Sequence, residues 1–268
     1  MINYVCKTCG VQYEASILPP VICKICSDDR QYVPQSGQDW IDLNGLLETG
    51  HYNEFIQIEE GLYAIQTKPQ VGIGQRAYLV TTPEGNILWD CITYIDQLTI
   101  DKINGLGGLK GIAISHPHYY STITVWADAF ECPIYIHEAD REWIARESLN
   151  YHFWNGETIQ LNSEVSLINL GGHFKGSSVL HWNYGSNSKG TLLVGDTIFI
   201  VPDPGWVSFL YSHPNRIPLP TSEVKKIRQI VDKYDFNSIY GAFEYYIENE
   251  GKEAIIKSAD RYIYHIER

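Results

Sequence analysis

The stretch Gly111-Ile112-Ala113-Ile114-Ser115-His116-Pro117-His118-Tyr119-Tyr120-Ser121 decides how the rest of the chain is read. Gly111 to Ile114 is a short apolar run of the kind that makes a buried strand. Two histidines follow it, two residues apart. In extended backbone such positions face the same side, so both rings can reach one ion. Pro117 stiffens the turn between them. The pattern recurs downstream: Val165-Ser166-Leu167-Ile168-Asn169-Leu170 leads into Gly171-Gly172-His173, and Thr191-Leu192-Leu193-Val194 leads into Gly195-Asp196. Polar groups at the C-terminal ends of neighbouring strands gather on one rim of a sheet. Three imidazoles and a carboxylate there suit a first-row metal, zinc above all, with iron or manganese as alternatives.

The order of these motifs resembles the metallo-β-lactamase superfamily over most of the chain, from roughly residue 55 to 266. The first motif of that superfamily reads His-x-His-x-Asp-His. The window here is His116-Pro117-His118-Tyr119-Tyr120-Ser121, which keeps the two leading histidines and replaces the aspartate and the third histidine. His173 and Asp196 match the later single ligands. The superfamily's last histidine follows a glycine after a late strand; here Gly241 is followed by Ala242. The resemblance implies a four-layer αββα sandwich with the metal at one edge of its paired sheets. It also implies one metal on His116, His118 and His173, with Asp196 at the bridging position, and a second site that has diverged. Asp90 takes the place of the superfamily's strand-end aspartate near the site.

Four of the six cysteines form a separate signal, Cys6-x2-Cys9 and Cys23-x2-Cys26. Two close pairs of this kind can offer four thiolates tetrahedrally to one ion. Val5-Cys6-Lys7-Thr8-Cys9-Gly10 has the form of a metal knuckle, and the segment resembles a zinc ribbon or a rubredoxin-like module. Zinc is favoured over iron by ligand type. The competing reading, a pair of disulfides, fits poorly with an N-terminus that lacks a secretory leader. Cys91 and Cys132 read as isolated buried thiols.

Residues 1–33 are too few to hold a hydrophobic core of their own, so a metal must organise them. Residues 34–54 read as a linker with a short helix between Asp39 and His51, and residues 55–268 as the larger domain. Strands are expected at 62–66, 75–81, 87–90, 133–137, 178–182 and 236–240. Helices are expected at about 121–130, 139–149, 222–234 and towards the C-terminus.

The chain of 268 residues carries a formal net charge of -12. That charge argues against non-specific nucleic-acid binding. No apolar run approaches the ~20 residues that cross a bilayer, and a cytoplasmic location is the expectation, with a small molecule as substrate. Water on an ion held by neutral imidazoles becomes acidic, and Asp196 can ligate that ion or act as general base. The hydroxyl of Tyr120 can donate to an oxyanion or ligate; the plainer reading is that Tyr120 fills the space left by the missing aspartate. The leading expectation is therefore a metal-dependent hydrolase of an ester, thioester, lactone or amide. A metal-binding protein of the same fold without turnover, and an iron-dependent oxidoreductase, are the alternatives.

Overall fold

A computed structural model describes all residues, 1–268. Two sheets face one another. The first has seven strands in the spatial order Tyr151–Trp154, Ile134–His137, Gly111–Ala113, Ile87–Trp89, Ala77–Val80, Leu62–Lys68, Tyr52–Glu59. Its first four strands run parallel to one another, and the rest form antiparallel hairpins. The second has six, in the order Thr158–Gln160, Val165–Asn169, Ser178–Trp182, Thr191–Leu193, Ser238–Tyr240, Tyr246–Ile247.

Side-chain alternation sorts the strand residues into separate cores. Leu62, Tyr78, Val80 and Trp89 meet Leu167, Leu180, Trp182 and Leu193 between the sheets. Their neighbours Ile65, Leu79, Leu88 and Ile112 point to the other side of the first sheet, beneath the helices Gln97–Gly105 and Ile123–Phe130. Ile168, Val179, Leu192 and Ile239 point out of the second sheet towards the helices Thr221–Val231 and Gly251–Glu267. Both faces of both sheets are thus apolar, as sheets covered on both sides require. The result is the expected αββα sandwich.

The four-cysteine segment builds a three-stranded sheet from Ile2–Cys6, Gln12–Ser16 and Trp40–Ile41. It does not stand apart. Cys6, Cys9, Val11, Cys23, Ile25 and Cys26 pack in the same core as Ile65, Leu79 and Trp126. Gln12 N donates to Ser121 O, and Glu14 N to Ala145 O. Gly72 shows how close the approach is: a Cβ there would lie 3.0 Å from the carbonyl carbon of Cys9, and its φ of +61 favours glycine as well.

Two expectations change. The helix between Asp39 and His51 shrinks to Leu43–Leu47, capped by Asp42. The helix at 139–149 is one short 3-10 segment, Glu138–Trp143. Beyond it the backbone serves the cysteine segment instead: Ala145 O accepts from Glu14 N, and Glu147 N donates to Glu14 Oε1 at 2.6 Å.

Candidate metal centre

His116 and His118 follow the first-sheet strand Gly111–Ala113; His173 and Asp196 follow second-sheet strands. The two loops are tied together where Ser178 N donates to Ser115 O at 2.9 Å. Gly195 packs against Ser115, 2.7 Å from where its own Cβ would be, so a side chain there would push the Asp196 loop away. Asp90 sits under the first histidine loop as expected. Its Oδ1 accepts from Ser115 N at 2.8 Å, and burial pushes its pKa up to about 8.

The four residues converge. His173 Nε2 lies 3.3 Å from His118 Nδ1. Asp196 Oδ2 lies 3.5 Å from His116 Nε2 and 4.0 Å from both His118 Nδ1 and His173 Nε2. Metal–nitrogen bonds of about 2.0–2.1 Å in a tetrahedron place ligand atoms roughly 3.3 Å apart, close to the His118–His173 spacing and somewhat shorter than those to Asp196, so the four residues could hold a metal ion. His118 reaches it by a route the sequence did not suggest. His116 is extended, but Pro117–Tyr119 is a 3-10 turn. The rings still meet because His116 presents Nε2 and His118 presents Nδ1.

The donor chemistry fits an ion. His116 Nε2 is buried and lacks a hydrogen-bond partner. The remaining nitrogens of two rings are occupied: His116 Nδ1 lies 2.8 Å from Ser115 Oγ, and His173 Nδ1 donates to Leu210 O at 3.3 Å. The carbonyl partner leaves Nε2 as the free lone pair of His173, and the Ser115 hydroxyl can accept from His116 Nδ1 and leave Nε2 free on that ring too. Burial lowers all three histidines, His116 to about 4, so neutral imidazoles face the centre at neutral pH. Burial works to raise Asp196, but the nearby rings of His213, His116 and His118 outweigh it and keep the carboxyl well below its ordinary range.

Three further neighbours close around the centre: Tyr119 in the loop beside the metal and His213 in the irregular segment after Asp196, both of which the sequence places near the site, and Arg30, which it does not. The Tyr119 hydroxyl donates to Asp196 Oδ1, and its ring lies 4.3 Å from that of His116. His213 Nε2 donates to the main-chain oxygen of Asp196 at 2.9 Å. Arg30 reaches the main chain of His173 from the cysteine segment. Tyr120 points elsewhere, with its hydroxyl on Asp140 O at 3.0 Å. Ser121 Oγ bonds Cys91 O and accepts from Gln75 Nε2 at 3.0 Å, and Ala242 is buried. His137 bonds Gly156 O, and His181 bonds Asp235 O; neither joins the cluster.

A cavity of about 400 Å³ opens beside the cluster, with His118, Asp196 and His213 among its lining residues. That is within the range of small-molecule sites. Phe199, Phe243 and Tyr245 line it, and Arg216 is its only lysine or arginine. Thr8, Gln31 and Tyr32 of the cysteine segment complete it.

The second cluster is Cys6, Cys9, Cys23 and Cys26. All six cysteines are free thiols. Cys6 and Cys26 sulfurs are 3.7 Å apart, and Cys9 and Cys23 sulfurs 3.5 Å. Zinc–sulfur bonds of about 2.3 Å place tetrahedral sulfurs roughly 3.8 Å apart, so these thiols also surround a metal-sized space. Cys91 and Cys132 are buried singly, and burial raises both.

No protein-family model matches the chain. Solved structures similar to it include VMB-1, with a TM-score of 0.60 at 12% identity, covering 81% of this chain and 98% of that one. DIM-1 metallo-β-lactamase gives 0.60 at 12%, with 78% and 98% covered. The mono-zinc form of the metallo-β-lactamase FIM-1 from Pseudomonas aeruginosa gives 0.58 at 12%, with 79% and 96% covered. At such identity these likenesses speak to fold alone. Among curated proteins, the uncharacterized protein YmaE of Bacillus subtilis (strain 168) is 50% identical over 261 residues, 97% of this chain and 95% of YmaE. The chain belongs to the family of YmaE, and its fold is that of the metallo-β-lactamases.

Proposed function

We propose that the chain is a metal-dependent hydrolase of a small ester, thioester, lactone or amide, working at a mononuclear centre on His116, His118, His173 and Asp196. One observation carries the reading. Three neutral imidazoles and an ionised carboxylate aim at one point, with His116 Nε2 unpartnered, beside a cavity of substrate size. The divalent ion would supply Lewis acidity, lowering the pKa of a nearby water towards ~7 in the case of zinc.

The chain's own residues do the rest. Tyr119 holds Asp196 Oδ1, so Oδ2 is the oxygen left to face the ion or to take a proton from water. His213 fixes the main chain of Asp196 and so fixes the direction of that oxygen. Phe199, Phe243 and Tyr245 offer apolar surface to the substrate's body. Arg216 makes no ion pair within the chain and is free to meet a negatively charged substrate group. The four thiolates leave no open coordination position, which makes theirs a structural site, with zinc the favoured ion and iron the alternative.

Hydrolysis of a panel of esters, thioesters, lactones and amides, abolished by a chelator and restored by zinc, manganese or iron, tests the reading. Two metals per chain with no rate on any acyl substrate would favour metal binding without turnover. One observation supports that second reading: Tyr119 already engages one oxygen of the carboxylate that a catalytic base would use.

A further inference from the structure

The segment after Cys26 reaches into the histidine centre. Arg30 forms a forked pair with Asp28, Nε to Oδ1 at 2.5 Å and Nη2 to Oδ2 at 2.9 Å. Both side chains are mostly buried, 13% and 17% exposed. The guanidinium lies 3.7 Å from the ring centre of Phe174 and 5.0 Å from that of Trp143. Its third nitrogen, Nη1, donates to the main-chain oxygen of His173 at 3.2 Å. From the other side, Asn215 Nδ2 donates to Asp29 O at 3.0 Å and Gln31 O at 3.3 Å. Asn215 is two residues from His213. Residues 28–31 therefore bridge the loops of His173 and His213, and their near end is anchored by Cys23 and Cys26.

We infer that the four-cysteine segment is a positioning element of the histidine centre: ordered by its thiolates, it uses Arg30 to hold His173 in ligating position and supplies one wall of the substrate cavity. The inference rests on the metal-centre reading above. Its physical basis is local. His173 follows Gly171 and Gly172, both at positive φ, a stretch with little stiffness of its own. A carbonyl pinned by a planar, pre-organised guanidinium removes that freedom. Partners that hold a ligand in place typically contribute roughly 10–100-fold to metal affinity. Thr8, Gln31 and Tyr32 then extend the same segment along the cavity.

Cobalt(II) titration of the full-length chain tests this, because thiolate and imidazole sites differ in their absorption. Wild type is expected to bind two ions, one with thiolate charge-transfer bands and one with only weak visible bands. Arg30→Ala should keep the thiolate bands at full strength and weaken the imidazole site by roughly 10–100-fold. Arg30→Lys should weaken it similarly, since an ammonium cannot span Asp28, Phe174 and His173 O together. Asn215→Ala, which leaves Arg30 untouched, should weaken it by a smaller factor and keeps the test open if the Arg30 variants do not fold. Imidazole-site affinity equal to wild type in the folded variants, even with a lowered melting temperature, overturns the inference. A wild type that takes up cobalt only at the thiolates overturns the metal-centre reading instead.

Discussion

The hydroxyl of Tyr119 donates to one oxygen of Asp196, while the other oxygen faces His116 Nε2 at 3.5 Å. One carboxylate is thereby divided between a protein donor and a metal-sized space. Tyr119→Phe keeps the ring and removes the donor, leaving a buried acceptor unsatisfied. Denaturant unfolding should show a loss of about 1–3 kcal/mol. An unchanged midpoint would mean that Asp196 finds another donor.

His118→Ala should remove the ion of the histidine cluster and leave that of the cysteines. Elemental analysis is expected to move from about two metals per chain to about one. A wild-type total near three would point to a second ion in the cluster, and full retention after the substitution to a ligand outside it.

β-Lactams should be poor substrates despite the fold. The positions at which the superfamily builds a second site hold Tyr120, Ser121 and Ala242, and the first two are engaged elsewhere in hydrogen bonds. Turnover of a chromogenic cephalosporin should fall far below the ~10 per second of an ordinary enzyme. A rate of that order would show that one ion suffices.

Asp90→Asn should be tolerated and should help in alkali. Asp90 adopts φ 60, a region where asparagine is also at home. Its folded pKa, about 8, lies above its reference value of 3.8. The folded state therefore holds a proton that the unfolded state gives up, and Asp90's contribution to stability is lost as pH rises between those values. Asparagine keeps an oxygen for Ser115 N without that loss. Urea midpoints at about pH 5 and about pH 8 should show the variant's relative advantage growing with pH. An advantage that shrinks would mean that Asp90 is ionised in the fold.

Cys23→Ser should lower the stability of the whole chain. The cysteines share a core with Ile65, Leu79 and Trp126, so loosening their cluster, and losing an ion held there, would remove support from the larger domain as well. A single cooperative melt at reduced temperature is the expected result. A separate early transition, with the main one unmoved, would restore the picture of a detached module.

Much of this molecule could be read from its residues. The strands before His116, His173 and Asp196 are compact apolar runs, and the helices at Ile123–Phe130, Thr221–Val231 and Gly251–Glu267 carry clear spacing. The edge strand Tyr52–Glu59 was missed because it is half exposed and its polar residues blur the alternation. The misread helix after Ala139 has a tertiary cause, since Ala145 and Glu147 pair with a segment more than a hundred residues away. Arg30 left no local signal, and Tyr119, though legible as a hydroxyl in the loop beside the metal, gave no sign of its partner. The role of each depends on a partner distant in sequence, His173 for one and Asp196 for the other.

His116 and His118 lie in a loop after a strand of one sheet of the sandwich, and His173 and Asp196 in loops after strands of the other. An ion held by all four would work as a rivet between two layers that otherwise adhere through side-chain packing. The unfolded chain cannot form that grip readily, because His116 and Asp196 lie 80 positions apart, at opposite ends of a long loop. Binding therefore acts chiefly on the native state. At a free-ion concentration 1,000-fold above the dissociation constant it adds about 4 kcal/mol to stability, a large share of what keeps an ordinary domain folded. Metal supply would then govern how long the chain survives as well as what it can do.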